Sequence, residues 1–143
     1  MLRCSLIAAL LLFAPAAQAQ EAASTPVLAL AVNGGGNEAD EIERVITNDL
    51  QRGGRVRVIT PPDGSVGSTS TTPLFPRIAE AGAQFVLPVD VSPTGDGRLR
   101  VSFRLFDVNT ASQLEAFSLA AGPDMRRRLA HRISDRVAPH LGD

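Results

Sequence analysis

The chain has 143 residues, 14 basic against 15 acidic, for a net charge of −1, and 44% of its residues are hydrophobic. One domain of this length buries roughly two-thirds of its unfolded surface, so a core without covalent staples is feasible. A slightly acidic chain with no Trp and no Tyr is a poor candidate for non-specific binding to nucleic acid.

Residues 1–19 read as a secretory signal peptide. Arg3 supplies the positive charge, Leu6 to Phe13 form an apolar run too short to span a bilayer, and Ala17-Gln18-Ala19 is a small-x-small cleavage pattern. Cleavage is expected between Ala19 and Gln20. Cys4, the single cysteine, lies before the apolar run and is lost with the leader. The mature chain then has neither a lipid-bearing first cysteine nor a disulfide. It carries no further run long enough to cross a membrane and is expected in the periplasm.

Gln20, Glu21, Ala22, Ala23, Ser24 and Thr25 form a polar leader, and residues 26–143 form the domain. Val27 to Val32 is a continuous apolar run whose length and flanks suit a strand buried on both faces, with a short helix left open by periodicity alone. Asn37 to Arg52 is amphipathic, with Ala39, Ile42, Val45, Ile46 and Leu50 on one face. Asn37 is placed to cap this helix and Gly53-Gly54 to end it. Arg55 to Thr60 alternates as a second strand, stopped by Pro61-Pro62. Gly64 to Thr72 is a flexible polar loop, and Leu74 to Ala81 a short helix ended by Gly82.

Gln84 to Val91 is an apolar strand in which Pro88 predicts a bulge or an edge. Pro93 to Gly97 is a hairpin turn. Arg98 to Val108 (RLRVSFRLFDV) alternates strictly, with Leu99, Val101, Phe103 and Leu105 on one side. Asn109 to Ser112 turns again, and Gln113 to Ala120 is the return strand. Gly122-Pro123-Asp124 opens a last helix whose Met125, Leu129, Ala130, Ile133 and Val137 point inward, and Pro139 is expected to end it.

The element order predicts an α/β (α+β) fold: a mixed five-stranded sheet with two long helices on one face, one short helix, and the other face wet. Arg98, Arg100 and Arg104 then stand on the wet face, opposite Gln113 and Glu115. A solvated face is favoured over a nucleic-acid surface, since no stacking aromatics accompany the arginines.

Three other patterns invite chemistry. Val32 to Glu38 (VNGGGNE) has the strand–glycine–helix form of a phosphate loop. It matches neither common phosphate-loop spacing, and Glu38, Asp40 and Glu41 would repel an anion. His131 and Asp135 share a helix face, but a metal needs more ligands than these and His140 supply, and a surface hydrogen bond is favoured. Arg126, Arg127, Arg128, Arg132 and Arg136 form a basic stripe that could meet anionic lipid or an acidic protein. A solvated helix face, with Asp124 paired to Arg128, is favoured. No catalytic residue, cofactor site or metal site is assigned, and an enzyme is not expected.

Gly82 to Gln84, Asp96 to Val108 (DGRLRVSFRLFDV) and Ala130 to Asp135 (AHRISD) together resemble the amino-terminal domain of the TolB family, of the Tol-Pal envelope system. The similarity runs over about Pro26 to Leu141. It implies a mixed sheet with two long helices, a periplasmic location, and envelope proteins as partners. In that family a β-propeller follows the last helix and carries Pal binding, so Pal binding is not expected of this chain. A segment before the first strand is implicated in docking TolA. The only counterpart here is Gln20–Thr25, which lacks apolar alternation, so TolA docking stays open. The resulting expectation is a non-enzymatic interaction module that presents a sheet edge or the Gln20–Thr25 leader. A regulator of cell-wall synthesis or secretion, and a small-ligand or phosphate-binding protein using Gly34–Gly36, are the alternatives.

Overall fold

A computed structural model describes residues 25–142. The expected signal peptide and leader residues Gln20 to Ser24 lie outside the described residues, while Thr25 is exposed just before the first strand. The elements run β1 (Val27–Asn33), α1 (Asn37–Gln51), β2 (Arg57–Ile59), α2 (Phe75–Glu80), β3 (Phe85–Pro93), β4 (Leu99–Asp107), β5 (Ser112–Ala121), a single 3-10 turn (Pro123–Met125) and α3 (Arg126–Leu141). The sheet order is β2-β1-β3-β4-β5. β1 pairs in parallel with β2 and β3, which α1 and α2 make possible by crossing over. β3, β4 and β5 form an antiparallel meander joined by short turns.

The alternation of β4 sets the layering. Leu99, Val101, Phe103 and Leu105 are buried in one core with Ile42 and Ile46 of α1 and Leu129, Ile133 and Val137 of α3. The expected inward faces of both long helices are thus the ones that pack on the sheet. Between the helices, Arg126 and Arg127 of α3 both donate to Glu41 of α1, Arg127 Nε at 2.9 Å. One turn further along, His131 Nδ1 lies 2.5 Å from Asp49 Oδ2.

The second face is only half wet. A smaller core of Ala29, Ile78, Ala83, Val86, Phe106 and Val108 lies there, with Ile59, Val66 and Phe75 packed against it. β1 and β3 are apolar at both alternations, so they need cover on both sides, and α2 with the segment before it supplies that cover. The open part is the β4–β5 half.

Several local expectations are corrected. Gly36, at φ 85°, occupies the cap position of α1; Asn37 is the first helical residue and makes no capping bond. Pro88 marks neither a bulge in β3 nor an edge. It is buried in the central strand, in register with Ala31 of β1. The pairing with β4 lapses at Leu87 and Pro88 and resumes at Val89 without a shift, which is how the ladder accommodates a missing N–H. Pro139 does not end the last helix, which runs on to Leu141. So close to the helix end a proline removes one intrahelical bond, and burial of Val137 and Leu141 holds the last turn in place.

Two outcomes follow. Phe103→Ala removes a fully buried ring from the centre of the main core and should cost about 3–5 kcal/mol in urea unfolding. The two arginine hydrogen bonds hold the Glu41 carboxyl below the usual glutamate range. Because this pKa is lower folded than unfolded, the stabilisation is complete above the unfolded value of about 4.3 and is lost as pH falls through the folded one. Glu41→Gln should therefore lower Tm at neutral pH, and the gap from the parent should close on acidification, as followed by circular dichroism.

Candidate functional site

Arg98, just before β4, and Arg100 and Arg104 within it do three different things. Arg104 is committed: its Nε donates to Gln113 Oε1 at 2.8 Å, its Nη1 to Thr69 O at 2.9 Å, and it stacks 4.7 Å from the Phe106 ring centre. Arg98 Nη2 donates to Ala120 O at 3.0 Å. Arg100 is exposed with no ion-pair partner among the described residues.

Gln113 is where the alternation placed it, and Glu115 is not. A bulge between Leu105 and Phe106 in the β4–β5 ladder inserts Leu114. Gln113 pairs with Phe106, on the open side, while Glu115 pairs with Leu105 and so faces the helices. There it accepts from Arg136 Nη1 at 3.2 Å and lies 3.4 Å from His140 Nε2. Arg136 also covers the Phe117 ring at 3.8 Å.

The basic stripe of α3 is therefore largely internal. Arg126 and Arg127 hold Glu41, and Arg136 holds Glu115. The expected Asp124–Arg128 pair is not formed. Arg128 and Arg132 are the members of the stripe without an ion-pair partner among the described residues. His131 bonds across to a half-buried carboxylate on the facing helix, Asp49 of α1, rather than to Asp135. Among the described residues no three His, Cys, Asp or Glu side chains converge as a metal site would require.

The polar loop read as flexible is tied to the sheet. Asp90 Oδ2 accepts from the Thr69 amide at 2.8 Å and from its hydroxyl at 2.7 Å. Asn33 Nδ2 donates to Gly67 O at 2.8 Å and to Asp90 Oδ1 at 3.0 Å. Arg104 completes the set through Thr69 O. The one signal in the sequence was Asp90 itself, a carboxylate inside an apolar strand, which calls for partners.

Gly34–Gly36 form a turn beside a shallow cleft that Gly35, Glu38, Arg98 and Pro123 help to line. Glu38 stands at its rim, which disfavours an anion there. Gly34 sits at φ 149°, and a Cβ added to it would come 2.6 Å from Val91 O; at Gly35 nothing lies within 4 Å. The close approach of the turn to β3 thus explains Gly34 without a ligand. Gly34→Ala should destabilise by about 1–3 kcal/mol and Gly35→Ala by far less, a difference that thermal melts of the two variants would read.

No helix among the described residues is long and apolar enough to cross a membrane. In sequence, residues 16–114 match the TolB amino-terminal domain. The Tol-Pal system protein TolB of Jannaschia sp. (strain CCS1) is 36% identical over 112 residues, covering 76% of this chain and 25% of that protein. The chain spans about a quarter of the length of the curated relatives it matches. In structure, TolB from Acinetobacter baumannii superposes with a TM-score of 0.68 at 21% identity, over 82% of this chain and 28% of that one. The LpoB C-terminal domain from Escherichia coli gives 0.50 at 20% identity, over 68% of this chain and 83% of that one. The likeness to both structures is one of fold: a mixed five-stranded sheet with helices. The sequence match covers well over half of the chain, which belongs to the TolB amino-terminal domain family.

Proposed function

We propose that this chain is an exported, non-enzymatic protein–protein interaction module of the periplasm that works with components of the Tol-Pal system. The observation that carries this reading is membership of the family together with relatives that are themselves Tol-Pal system proteins. The charge pattern agrees with it. Most candidate chemical groups, namely Glu41, Asp49, Asp90, Glu115, His131 and Arg104, are engaged with one another or with the backbone. Free backbone groups along a sheet edge can recruit an extended segment of another protein without any catalytic machinery.

The test uses the full chain with a carboxy-terminal tag, produced in its source cell. Osmotic-shock fractions are collected, the amino terminus of the purified protein is sequenced, and co-purifying proteins are identified. The expected result is a periplasmic chain starting at Gln20 that brings down a Tol-Pal component. A cytosolic chain with residues 1–19 intact would overturn the localisation. Recovery of a peptidoglycan synthase, or no enriched envelope protein, would overturn the Tol-Pal assignment.

A further inference from the structure

β5 is an outer strand of the sheet, ten residues long, with β4 as its neighbour on one side only. Its two halves are treated differently. Near Gln113–Phe117 the bulge breaks the ladder, Glu115 is tied to α3, and Arg136 lies over the Phe117 ring. Bulges and charges of this kind guard an edge against pairing with another chain. From Ser118 to Ala121 (SLAA) there is no bulge, no proline and no charged residue, and among the described residues the one side chain bonded to its backbone is Arg98, on Ala120 O. Here the edge borders a groove shared with α3, floored by Leu119, Ala121, Met125 and Leu129, with Arg128 and Arg132 beside it.

The charges around this open half have one sign. Arg128 and Arg132 flank it on the helix side, and Arg100 lies in register with Ala120 on the other face, none of them in an ion pair among the described residues. Of the carboxylates nearest in sequence, Glu115 is paired with Arg136, and neither Asp124 nor Asp135 makes an ion pair with these arginines. A second copy of this chain, paired two-fold about this stretch, would bring these arginines against their own images. An anionic lipid surface would find only the few arginines left over by the internal pairs. A strand carrying carboxylates meets both the free backbone and the free charge.

Building on the interaction role above, we infer that the Ser118–Ala121 half of β5, with Arg128 and Arg132, is a docking edge for an extended acidic segment of a partner protein. The segment adds as a further strand, turns its carboxylates to the helix side where Arg128 and Arg132 stand, and sets its alternate, apolar side chains on the open face beside Ser118 and Ala120.

The probe is a fluorescein-labelled ten-residue peptide alternating Glu and Val, titrated against the purified chain by anisotropy, with amide hydrogen exchange read on the same complex. The Glu peptide should bind and slow exchange at residues 117–121. Arg128→Glu with Arg132→Glu should weaken it about tenfold or more at low salt, and a Lys–Val peptide should not bind. Both arginines are surface residues of α3, so the variant is expected to fold, as its circular dichroism would verify. The inference is overturned by any of four results. These are no Glu-peptide binding up to about 1 mM, equal binding to the double variant, protection elsewhere, or association seen only with anionic vesicles or a second copy. Co-purification with the double variant separates this inference from the broader reading. A partner retained undiminished sinks the edge assignment alone, whereas no partner for either form sinks the interaction role itself.

Discussion

The structure depends on the division of β4 into a dry side and a second side. Leu99, Val101, Phe103 and Leu105 lie under α1 and α3, and this one row joins the meander to the helix layer. Through β3, the same strand is coupled to the parallel half of the sheet that α1 and α2 cross over to build. A single residue of slip in β4 would move its whole apolar row into solvent, so the core fixes the register of the strands on either side of it. The short β2 needs no such pattern of its own, since Arg57 to Ile59 simply extend the parallel ladder of β1.

Where a reading needed only local periodicity, the sequence was legible. β2, β4, the two long helices and the inward faces of both helices follow from spacing two or near four, β1 and β3 from short apolar runs bounded by turn residues, and the long core residues sit where those patterns put them. What was not legible depends on a partner far along the chain. His131 looked paired with Asp135 because they are four apart, yet the facing helix offered Asp49. Gly64 to Thr72 looked mobile because it is polar and glycine-rich, yet Asn33, Asp90 and Arg104 hold it. Pro88 and Pro139 are backbone breakers in isolation. In the fold each falls where one missing hydrogen bond is tolerated, inside a buried ladder and close to a helix end.

The arginines teach the same lesson for function. Counted along the sequence, eight of them lie between Arg98 and Arg136 and suggest two basic surfaces. In three dimensions most are spent on the fold: two on Glu41, one on Glu115, one on the loop carbonyl of Thr69, and one on Ala120 O. Pairs this close to the surface add little stability individually. Their larger effect is geometric, since Glu41 and Asp49 tie α3 to α1 at two places along their length.

The bulge at Leu114 has consequences on both sides of the sheet. With an unbroken register, Gln113 would have faced the helices opposite Asp107, and Leu114 would have stood on the open side opposite Phe106. The extra residue instead brings Gln113 beneath Arg104 and lets Leu114 pack against the main core, while Glu115 keeps its place opposite Leu105 and meets Arg136. One end of the edge strand is thereby fastened on both faces at once. Because the bulge also raises the local twist, that end turns away from any flat neighbour. The stretch beyond Phe117 has no bulge and no ion pair and, among the described residues, is held by side chains only through the Ser102–Ser118 hydroxyl bond and Arg98 on Ala120 O, so the protection of this edge is uneven by construction.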